Sequence, residues 1–420
     1  MNTLEVMVGL ADCNNFFVSC ERTLNPELEN RAVVVLSNND GCVVARSNEA
    51  KRAGVKMGQP AFQIKDRIRS GEITAISGNH LLYRSISLKV HEIFRHYAPR
   101  TLDYSVDEAF LLMDGIPDSS LAEIGKAIAE ECWRKLHIPV TIGFAPSKTL
   151  AKVVSETCKK KGEPVGVLLN ASDAMPLMRK MPISELWGIG RRLSKRLYCC
   201  GVYTIADFAE KDVAWVRGNF GVNGERSWRE LHGEQCIELS HVESTLQDSI
   251  SESRTFPEDV DDYDYIRARI AIYAADCCKK LRKMGGKCKT AGIMLETNRF
   301  RPEHSFARPQ GSVHFDEPTN DTVFVCETVI SILDRIFTPG TYFKRAGVWL
   351  GEIVPEDSVL PSLFEPESIH AEKRHRSHLM KAIDRINLSP GLPVLKLASQ
   401  ITQGHPGHND GYSSTFQSPK

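Results

Sequence analysis

A chain of 420 residues with 42% hydrophobic and 25% charged residues has the composition of an ordinary globular protein, which excludes wholesale disorder and a fibrous repeat. At roughly 100 to 200 residues per domain, this length predicts about two to four folded domains. The 53 basic residues balance the 53 acidic residues, so the net charge gives no sign of a nucleic-acid partner. No apolar run approaches the roughly 18 residues that a membrane span requires, so no membrane-spanning helix is expected.

The start of the chain and the cysteines favour a cytoplasmic protein. The first ten residues lack a basic segment before an apolar stretch, and Glu5 lies inside them, so no signal peptide is predicted. The 12 cysteines include no Cys-x-x-Cys pair, and the adjacent pairs Cys199-Cys200 and Cys277-Cys278 have neither zinc-ligand nor ordinary disulfide spacing. We expect reduced thiols.

Over the first 160 residues, apolar β-branched runs alternate with amphipathic segments. Strands are predicted at 6–11, 33–36, 102–113 and 140–144, and helices at 16–24, 47–53, 120–137 and 147–159. A turn at Asn38-Asn39-Asp40-Gly41 closes the second strand. This order of elements predicts an α+β layer with helices on one face of a mainly antiparallel sheet.

The remaining residues divide into a helical region and a second α+β unit. Residues 173–233 are predicted to be largely helical, with a break at Gly188-Ile189-Gly190. A helix at 265–284 then lies between strands that include 290–297 and 346–352, a unit of about 100 residues. Beyond Pro355 the chain is rich in Pro, Ser and His, and the tail after Gln403 is predicted to be disordered.

Charge is segregated along the chain although the net charge is zero. Residues 148–200 contain eleven Lys and Arg against four Asp and Glu, whereas residues 201–262 contain five against fourteen. Such segregation suits a basic groove for a polyanion in a protein that stays neutral overall. Two oppositely charged faces that pack together would give the same pattern.

Three acidic residues interrupt or end apolar strands. Asp12 ends the first predicted strand, and Asp107 and Glu108 interrupt the run 104–111. Acids among apolar neighbours are costly unless a cation or hydrogen-bond donors compensate them. Carboxylates with a backbone carbonyl such as that of Cys13 suit Mg²⁺, and two ions about 4 Å apart can promote an in-line phosphoryl displacement. A helix cap at Asp12 and a surface turn at Asp107-Glu108 are the alternative.

Basic residues form a stripe on the helix that Ser147 is predicted to cap. At 100° per residue, Lys148, Lys152 and Lys159 lie within roughly 40° of one another. A lysine stripe beside a carboxylate cluster can bind a triphosphate. A solvated helix face would have the same pattern.

A glycine-rich segment with a basic flank follows. Leu186-Trp187-Gly188-Ile189-Gly190 precedes Arg191, Arg192, Lys195 and Arg196, which is typical of two short helices joined by a glycine hairpin. Backbone amides at the start of the second helix can bind a DNA phosphate without reading sequence. A glycine helix end followed by a basic surface is the alternative.

Four segments in order resemble the motifs of the Y-family translesion DNA polymerases, and of their UmuC-type branch in particular. The resemblance covers about residues 5 to 400. The matching segments are ADCNNFFVSCE at 11–21, NNDG at 38–41 with ARSNEAK at 45–51, YSVDEAF at 104–110, and the Gly-Ile-Gly hairpin.

The resemblance implies a template-directed DNA polymerase in which a primer 3′-hydroxyl attacks the α-phosphate of a dNTP with the help of two Mg²⁺ ions. By this resemblance Asp12 and Asp107 bridge the ions, Glu108 ligates the catalytic ion, and the Cys13 carbonyl assists the nucleotide-bound ion. Phe17 matches the family's aromatic ring beside the incoming sugar.

Further nucleotide and DNA contacts are implied in the same way. Lys51 and Lys159 match triphosphate contacts, although many relatives carry Arg where Lys51 stands and Tyr where Asn48 stands, and a lysine is a point charge rather than a bidentate fork. The nucleotide-binding set also includes Phe16 and Ala45. The DNA-binding set is Gly188, Gly190, Arg191 and Arg192.

The family architecture implies a right-hand-like polymerase with small fingers. An open pocket with few contacts to the nascent base pair tolerates damaged templates and discriminates poorly between bases. The implied domains are a palm at 1–21 and 78–166, fingers at 22–77, a helical thumb with a helix-hairpin-helix at 167–240, an α+β little finger at 241–352, and a C-terminal partner-binding region with a flexible tail at 353–420.

The implied partners are primer-template DNA and dNTPs, together with a UmuD-type dimer, a RecA filament and the sliding clamp, in the SOS response to DNA damage. No membrane partner is expected. Leu363 and Phe364 lie in a peptide that resembles a clamp-binding motif, or they only dock the tail. A catalytically silent subunit that holds DNA within a repair assembly is the alternative function.

Overall fold

The computed structural model describes residues 6–37, 41–238, 246–301, 305–358, 367–387 and 395–401. The predicted turn residues Asn38, Asn39 and Asp40, the clamp-like residues Leu363 and Phe364, and the tail after Gln403 lie outside the described residues.

These residues form two compact units, the first within residues 6–238 and the second within residues 246–401. The strands of the first unit are β1 (Val8–Cys13), β2 (Val33–Leu36), β3 (Val43–Arg46), β4 (Thr74–Ser77), β5 (Arg100–Asp103), β6 (Glu108–Leu112), β7 (Val140–Ala145) and β8 (Val165–Val167). Its helices are α1 (Phe16–Leu24), α2 (Asn48–Arg52), α3 (Lys65–Arg69), α4 (His80–Tyr97), α5 (Leu121–Leu136), α6 (Lys148–Lys161), α7 (Met175–Met178), α8 (Arg191–Cys199), α9 (Ile205–Ala209) and α10 (Val213–Leu231). The second unit contains strands β9 (Ser249–Val260), β10 (Gly286–Thr297), β11 (Gln310–Thr319) and β12 (Phe343–Pro355), and helices α11 (Tyr263–Lys283), α12 (Thr322–Ile336) and α13 (Glu367–Ile386).

The central sheet of the first unit has the strand order β5-β6-β1-β7-β8. Its pairs are antiparallel except β7–β8, so the predicted mainly antiparallel sheet is confirmed. The single strand predicted at 102–113 is instead a hairpin, because the chain turns between β5 and β6. The amides of Tyr104 and Ser105 both donate to the carbonyl of Glu108, at 3.1 and 3.0 Å, and close this turn.

Both faces of this sheet are covered, because side chains alternate along β1. Ala11 and Cys13 belong to the core with α4 and α5, whereas Val8 and Leu10 belong to the core with α6. The prediction that helices cover one face therefore needs a correction, since α6 covers the opposite face. A Cβ at position 143 of β7 would lie 2.3 Å from the Ser155 amide nitrogen, so this close packing of α6 requires glycine.

A smaller sheet with the order β3-β2-β4 carries its own core. All four residues of the run Val33–Leu36 are buried, as its apolar composition predicts. This strand, β2, is central in the sheet and pairs antiparallel with β3 and parallel with β4. These strands and the short helices α2 and α3 occupy the segment expected to form the fingers.

The segment from Met175 to Leu231 is largely helical, as predicted, but the half of the glycine motif before Gly188 is not a helix. A single 3₁₀ turn, Ile183–Glu185, stands in place of the first short helix. Gly188 has a φ of 86°, a value that favours glycine, and Gly190 precedes α8. The predicted second helix is confirmed as α8.

The second unit is an α+β fold with an antiparallel sheet of order β11-β10-β12-β9. Helices α11 and α12 pack on it and share its apolar core. Helix α13 is anchored by Arg282, whose guanidinium donates to both carboxylate oxygens of Asp384 at 2.7 and 2.9 Å. Over the part of the chain that the structure describes, no helix has the length and apolar character to cross a membrane.

Candidate active site

Two of the predicted carboxylates meet on neighbouring strands. Asp12 of β1 and Glu108 of β6 are directly paired in the antiparallel register, so their side chains project from the same face at the same level. The two carboxyl groups are close enough for each to shift the pKa of the other. The motif residues that are far apart in the sequence are therefore in contact.

Asp107 lies beside this pair but is not joined to it. Its carbonyl accepts the amide proton of Cys13 at 2.9 Å, which ties the turn before β6 to the end of β1. Its carboxylate accepts from the Ser105 hydroxyl at 2.5 Å and lines the same cleft as Asp12. Within the described residues, no three His, Cys, Asp or Glu side chains form a ready-made metal cluster.

Lysines of α6 form ion pairs with the two acids. The hydroxyl of Ser147 accepts from the Leu150 amide at 3.3 Å and caps the helix, as predicted. One helix face then directs the Lys159 ammonium to Asp12 and the Lys152 ammonium to Glu108, at 3.0 Å in the second case. Of the predicted stripe, these two lysines contact acids, while Lys148 is buried at the start of the helix.

The pair of acids has unequal affinities for a proton. Burial raises the pKa of Asp12 to about 8, and the neighbouring Glu108 acts in the same direction against the attraction of Lys159. Burial also acts to raise the pKa of Glu108, but the hydrogen bond with Asp12 and the Lys152 ammonium outweigh it, so this pKa is lowered. Full ionisation of both acids needs more positive charge than the lysines supply. A divalent cation fits this requirement and the oxygen donors present.

Asp12 and Asp107 line a cleft of about 960 Å³, whereas Glu108 lines a smaller cavity together with Asp12. All five residues of the predicted nucleotide-binding set line the larger cleft, on the walls formed by α1, β3, α2 and α6. Phe16 and Ala45 are themselves buried, so they shape the wall rather than project into the cleft. The lining residues from the predicted set are Asp12, Cys13, Asp107, Phe16, Phe17, Ala45, Lys51 and Lys159.

The ring of Phe17 is held by a tyrosine that the sequence patterns did not single out. Tyr83 of α4 stacks on it with ring centroids 4.4 Å apart and planes 15° from parallel. The Tyr83 hydroxyl donates to Glu21 Oε1 at 2.7 Å. No local pattern marks Tyr83, because its partners lie on a distant helix.

One wall of the cleft is basic. Lys51, Lys159 and Arg46 all line it, and Arg46 was not among the predicted contacts although it lies in the quoted motif. Burial lowers the pKa of Lys51, and the positive charges of Arg46 and Lys159 act in the same direction. Asn48, which replaces the tyrosine of many relatives, accepts from Asn15 Nδ2 at 3.1 Å. Cations that repel one another in this way favour an anion between them.

The predicted DNA contacts lie outside this cleft. Gly188, Gly190, Arg191 and Arg192 are exposed, and no side chain caps the start of α8. The neighbouring Trp187 lines a second cavity, of about 270 Å³, together with Glu108 and Asp12. Trp187, which directly precedes the glycine hairpin, thus lies beside the same cavity as two of the carboxylates.

Comparisons with known proteins decide the family. A model described as the impB/mucB/samB family matches residues 11–156, and one described as the C-terminal domain of that family matches residues 247–363. Protein UmuC of Salmonella typhimurium is 34% identical over 398 residues, which cover 94% of this chain and 93% of UmuC. The chain belongs to the impB/mucB/samB family. The family's protein SamB of Salmonella typhimurium is 35% identical over 388 residues, 91% of this chain and 90% of SamB.

Polymerases are also similar to this member of the impB/mucB/samB family. DNA polymerase IV 2 of Bacillus subtilis is 26% identical over 406 residues, 95% of this chain and 96% of its own length. A solved insertion ternary complex of Dbh DNA polymerase covers 83% of this chain and 99% of its own, with a TM-score of 0.55 and 22% identity. A Y-family DNA polymerase chimera covers the same shares with a TM-score of 0.63 and 21% identity. The predicted α+β, right-hand-like polymerase fold is confirmed.

Proposed function

We propose that this chain is an error-prone translesion DNA polymerase of the UmuC type, which extends a primer past damaged template bases. The family, the DNA polymerase IV relatives and the Y-family fold support this function. The observation that carries it is Asp12, which is paired with Glu108 on the next strand and lines, with Asp107, a cleft that Arg46, Lys51 and Lys159 also line. A catalytically silent DNA-binding subunit has no need of buried acids that ionise only at a cost.

Asp12, Asp107 and Glu108 would hold the metal ions, which we propose to be two Mg²⁺. Carboxylate oxygens suit this ion, and the Cys13 thiol is buried, so this residue would contribute its carbonyl. Two bound ions supply the charge that activates a primer 3′-hydroxyl and stabilises the departing pyrophosphate. Asp107, whose carboxylate accepts from the Ser105 hydroxyl, would contribute its oxygens from the turn before β6.

Lys51 and Lys159 would bind the triphosphate of the incoming nucleotide, with Arg46 beside them. Lys159 is paired with Asp12 in this structure. If bound metal ions compensated the Asp12 carboxylate, the Lys159 ammonium would be available for the triphosphate. Phe17 would lie against the sugar and exclude a 2′-hydroxyl. The residues Gly188, Gly190, Arg191 and Arg192 would contact DNA phosphates through the open helix start.

We further propose that the protein acts in the cytoplasm during the SOS response, with a UmuD-type dimer, a RecA filament and the sliding clamp. The relationship to UmuC supports these partners. In this proposal, Leu363 and Phe364 belong to the peptide that would bind the clamp.

Primer extension with the purified chain and Mg²⁺, with and without a UmuD-type dimer, tests the function. We expect template-directed addition that Asp107→Asn reduces by about 1,000-fold or more, because a metal ligand loses its charge. Asp114→Asn removes the same charge from a surface pair with Arg100 and serves as the control. Equal extension by the two variants would exclude the proposed site.

A further inference from the structure

The Lys152 ammonium contacts both carboxylate oxygens of Glu108 and two aromatic rings. Its ammonium nitrogen lies 3.0 and 3.2 Å from the two carboxylate oxygens of Glu108. The same nitrogen lies 4.8 Å from the centre of the Tyr104 ring and 5.5 Å from that of the Trp187 ring. These distances fall within the range of cation–π attraction. One ammonium group thus has a carboxylate and two aromatic rings as its neighbours.

The two rings are themselves fixed. Trp187 Nε1 donates to the Tyr104 hydroxyl at 3.0 Å, and the rings meet edge to face with centroids 5.6 Å apart. The buried ring of Phe110 lies 5.6 Å from each of them. Tyr104 and Trp187, called here the aromatic cage, therefore leave the Lys152 ammonium little choice of position.

The aromatic cage joins two parts of the first unit. Trp187 immediately precedes Gly188 of the glycine hairpin. The Tyr104 amide donates to the Glu108 carbonyl at 3.1 Å, so the other ring belongs to the turn that carries the carboxylate. A movement of the hairpin at Trp187 would therefore shift the Lys152 ammonium and, with it, the Glu108 carboxylate.

We propose that Lys152 is a positioning residue that orients the Glu108 carboxylate, and that the aromatic cage couples this orientation to the glycine hairpin. A lysine side chain is long and flexible, so an uncaged ammonium would leave Glu108 free to rotate. This inference rests on the proposed function in taking Glu108 as a ligand of the catalytic ion. Beyond that function, the Lys152 ammonium would compete with the metal ion for Glu108. The aromatic cage would connect Glu108 to the glycine hairpin, which is expected to contact DNA.

Binding of Mn²⁺ alone to the full chain, measured by electron paramagnetic resonance, tests the charge of Lys152. We expect Lys152→Met to bind Mn²⁺ about 3- to 10-fold more tightly than the wild type, because a cation beside both oxygens of Glu108 is removed. Lys161→Met makes the same change on the same helix at a site paired with Glu163, and should leave the affinity unchanged. Equal affinities in the two variants would overturn the proposal, as would weaker binding by Lys152→Met.

Kinetics separate positioning from a general defect. Lys152→Met should lower kcat by about 10-fold or more while the KM for dNTP changes less than about 3-fold, because the triphosphate contacts are elsewhere. Lys152→Arg keeps a cation that can lie over the two rings and should recover part of kcat. A loss confined to KM, or no rescue by arginine in a variant with wild-type thermal unfolding, contradicts the proposal.

A double-mutant cycle tests the aromatic cage. Trp187→Leu should lower kcat in the wild-type background and have little further effect in Lys152→Met, because the ring acts through the ammonium. Multiplicative losses would overturn the coupling.

A wild-type chain that fails to extend a primer would count against the proposed function, and the Mn²⁺ affinities would still decide the role of Lys152. If the wild type extends primers and Lys152→Met matches Lys161→Met, only the present inference fails.

Discussion

Phe17 gains its precise place from contacts that lie outside its own helix. The stacked Tyr83 ring fixes it from one side, and the hydrogen bond to Glu21 fixes Tyr83 in turn. A ring held in this way cannot move aside for a larger sugar. A wall of this kind rejects a ligand by steric clash rather than by a missing attraction.

We therefore expect Phe17→Ala to raise the incorporation of ribonucleotides relative to deoxyribonucleotides by about 10-fold or more, because the clash with a 2′-hydroxyl is removed. Single-nucleotide extension with matched rNTP and dNTP measures this ratio. Leu81→Ala, at a side chain that is 85% exposed on α4, is the control and should leave the ratio unchanged. An unchanged ratio in Phe17→Ala would contradict the placement of the sugar.

Among individual residues, the sequence identified the acids of the candidate site but not the aromatic residues that surround the site. Asp12 and Glu108 stand out because acids are rare in apolar strands, and the structure pairs them. Their roles as metal ligands stay predictions. Tyr83 gave no such signal, because its value depends on a partner 62 residues away in the chain, Glu21, and on the ring of Phe17. Trp187 was noticed only as part of a glycine motif.

Helix α6 is anchored at its start by a buried acid of α10. Glu230 is fully buried, and its carboxylate accepts from the amides of Thr149, Cys236 and Ile237 at 2.9, 3.0 and 3.1 Å. Its carbonyl accepts from the Ser147 hydroxyl at 2.5 Å. This side chain therefore holds together the helix that carries the two active-site lysines and the segment that follows α10.

We expect Glu230→Ala to lower the free energy of unfolding by about 3 kcal/mol, because one buried and two partly buried amides lose their acceptor. Glu230→Gln keeps one carbonyl acceptor and should lose less. Urea unfolding at pH 7 measures both, with Glu210→Ala, which breaks a surface pair with Arg179, as a control expected to cost less than about 1 kcal/mol. A loss as small as that of the control would contradict the anchoring role.

Helix α9 begins with a reciprocal cap that should make its stability depend on pH. The Asp207 carboxylate accepts from the amides of Thr204 and Tyr203 at 2.8 and 2.9 Å, and the Thr204 hydroxyl accepts from the Asp207 amide. These hydrogen bonds, that from Thr204 first, lower the pKa of Asp207. A lowered pKa in the folded state means that the cap stabilises the protein above the unfolded value of about 3.9 and weakens as the pH falls through the folded value.

Asp207→Ala should therefore reduce the free energy of unfolding by about 1 kcal/mol at pH 7 and at pH 5. The difference from the wild type should shrink below about pH 4, where the carboxylate becomes protonated. Urea titrations over this range provide the measurement, and Asp66→Ala, at a carboxylate that is 97% exposed, is the matched control. A difference that is independent of pH would contradict a charged cap.

Elements with a strong local signal were predicted well, and others were decided by tertiary contacts. Helix α1 begins and ends where its pattern predicts, and Ser147 caps α6. Helix α4 was not predicted, although its buried residues recur at helical spacing between Tyr83 and Phe94 and the Asn79 side chain caps its start. The predicted strand 102–113 is a hairpin, since periodicity cannot show that a chain reverses at Ser105 and Asp107.

The whole molecule is built around separate apolar cores. Among the described residues, the core of the second unit draws on residues from Ile250 to Leu397, and the cores of the first unit draw on residues from Val6 to Leu231. The two family models divide in the same way, at 11–156 and 247–363. A unit with its own core and its own complete sheet can fold alone. Within the first unit, the segment expected to form the fingers has a core of its own, whereas the other two cores are shared between segments, so the domain boundaries there stay predictions.

Calorimetry of the full chain should therefore show two unfolding transitions that respond to different substitutions. Ile128→Ala lies in the core of the first unit and Ile293→Ala in the core of the second, and both side chains are fully buried. Each should destabilise only its own unit, by about 2 to 5 kcal/mol, because the cavity forms in one core and leaves the other unchanged. Residues 242–408 expressed alone should reproduce the transition that Ile293→Ala shifts. If both substitutions lower a single common transition and the isolated fragment fails to unfold cooperatively, the second unit does not fold on its own.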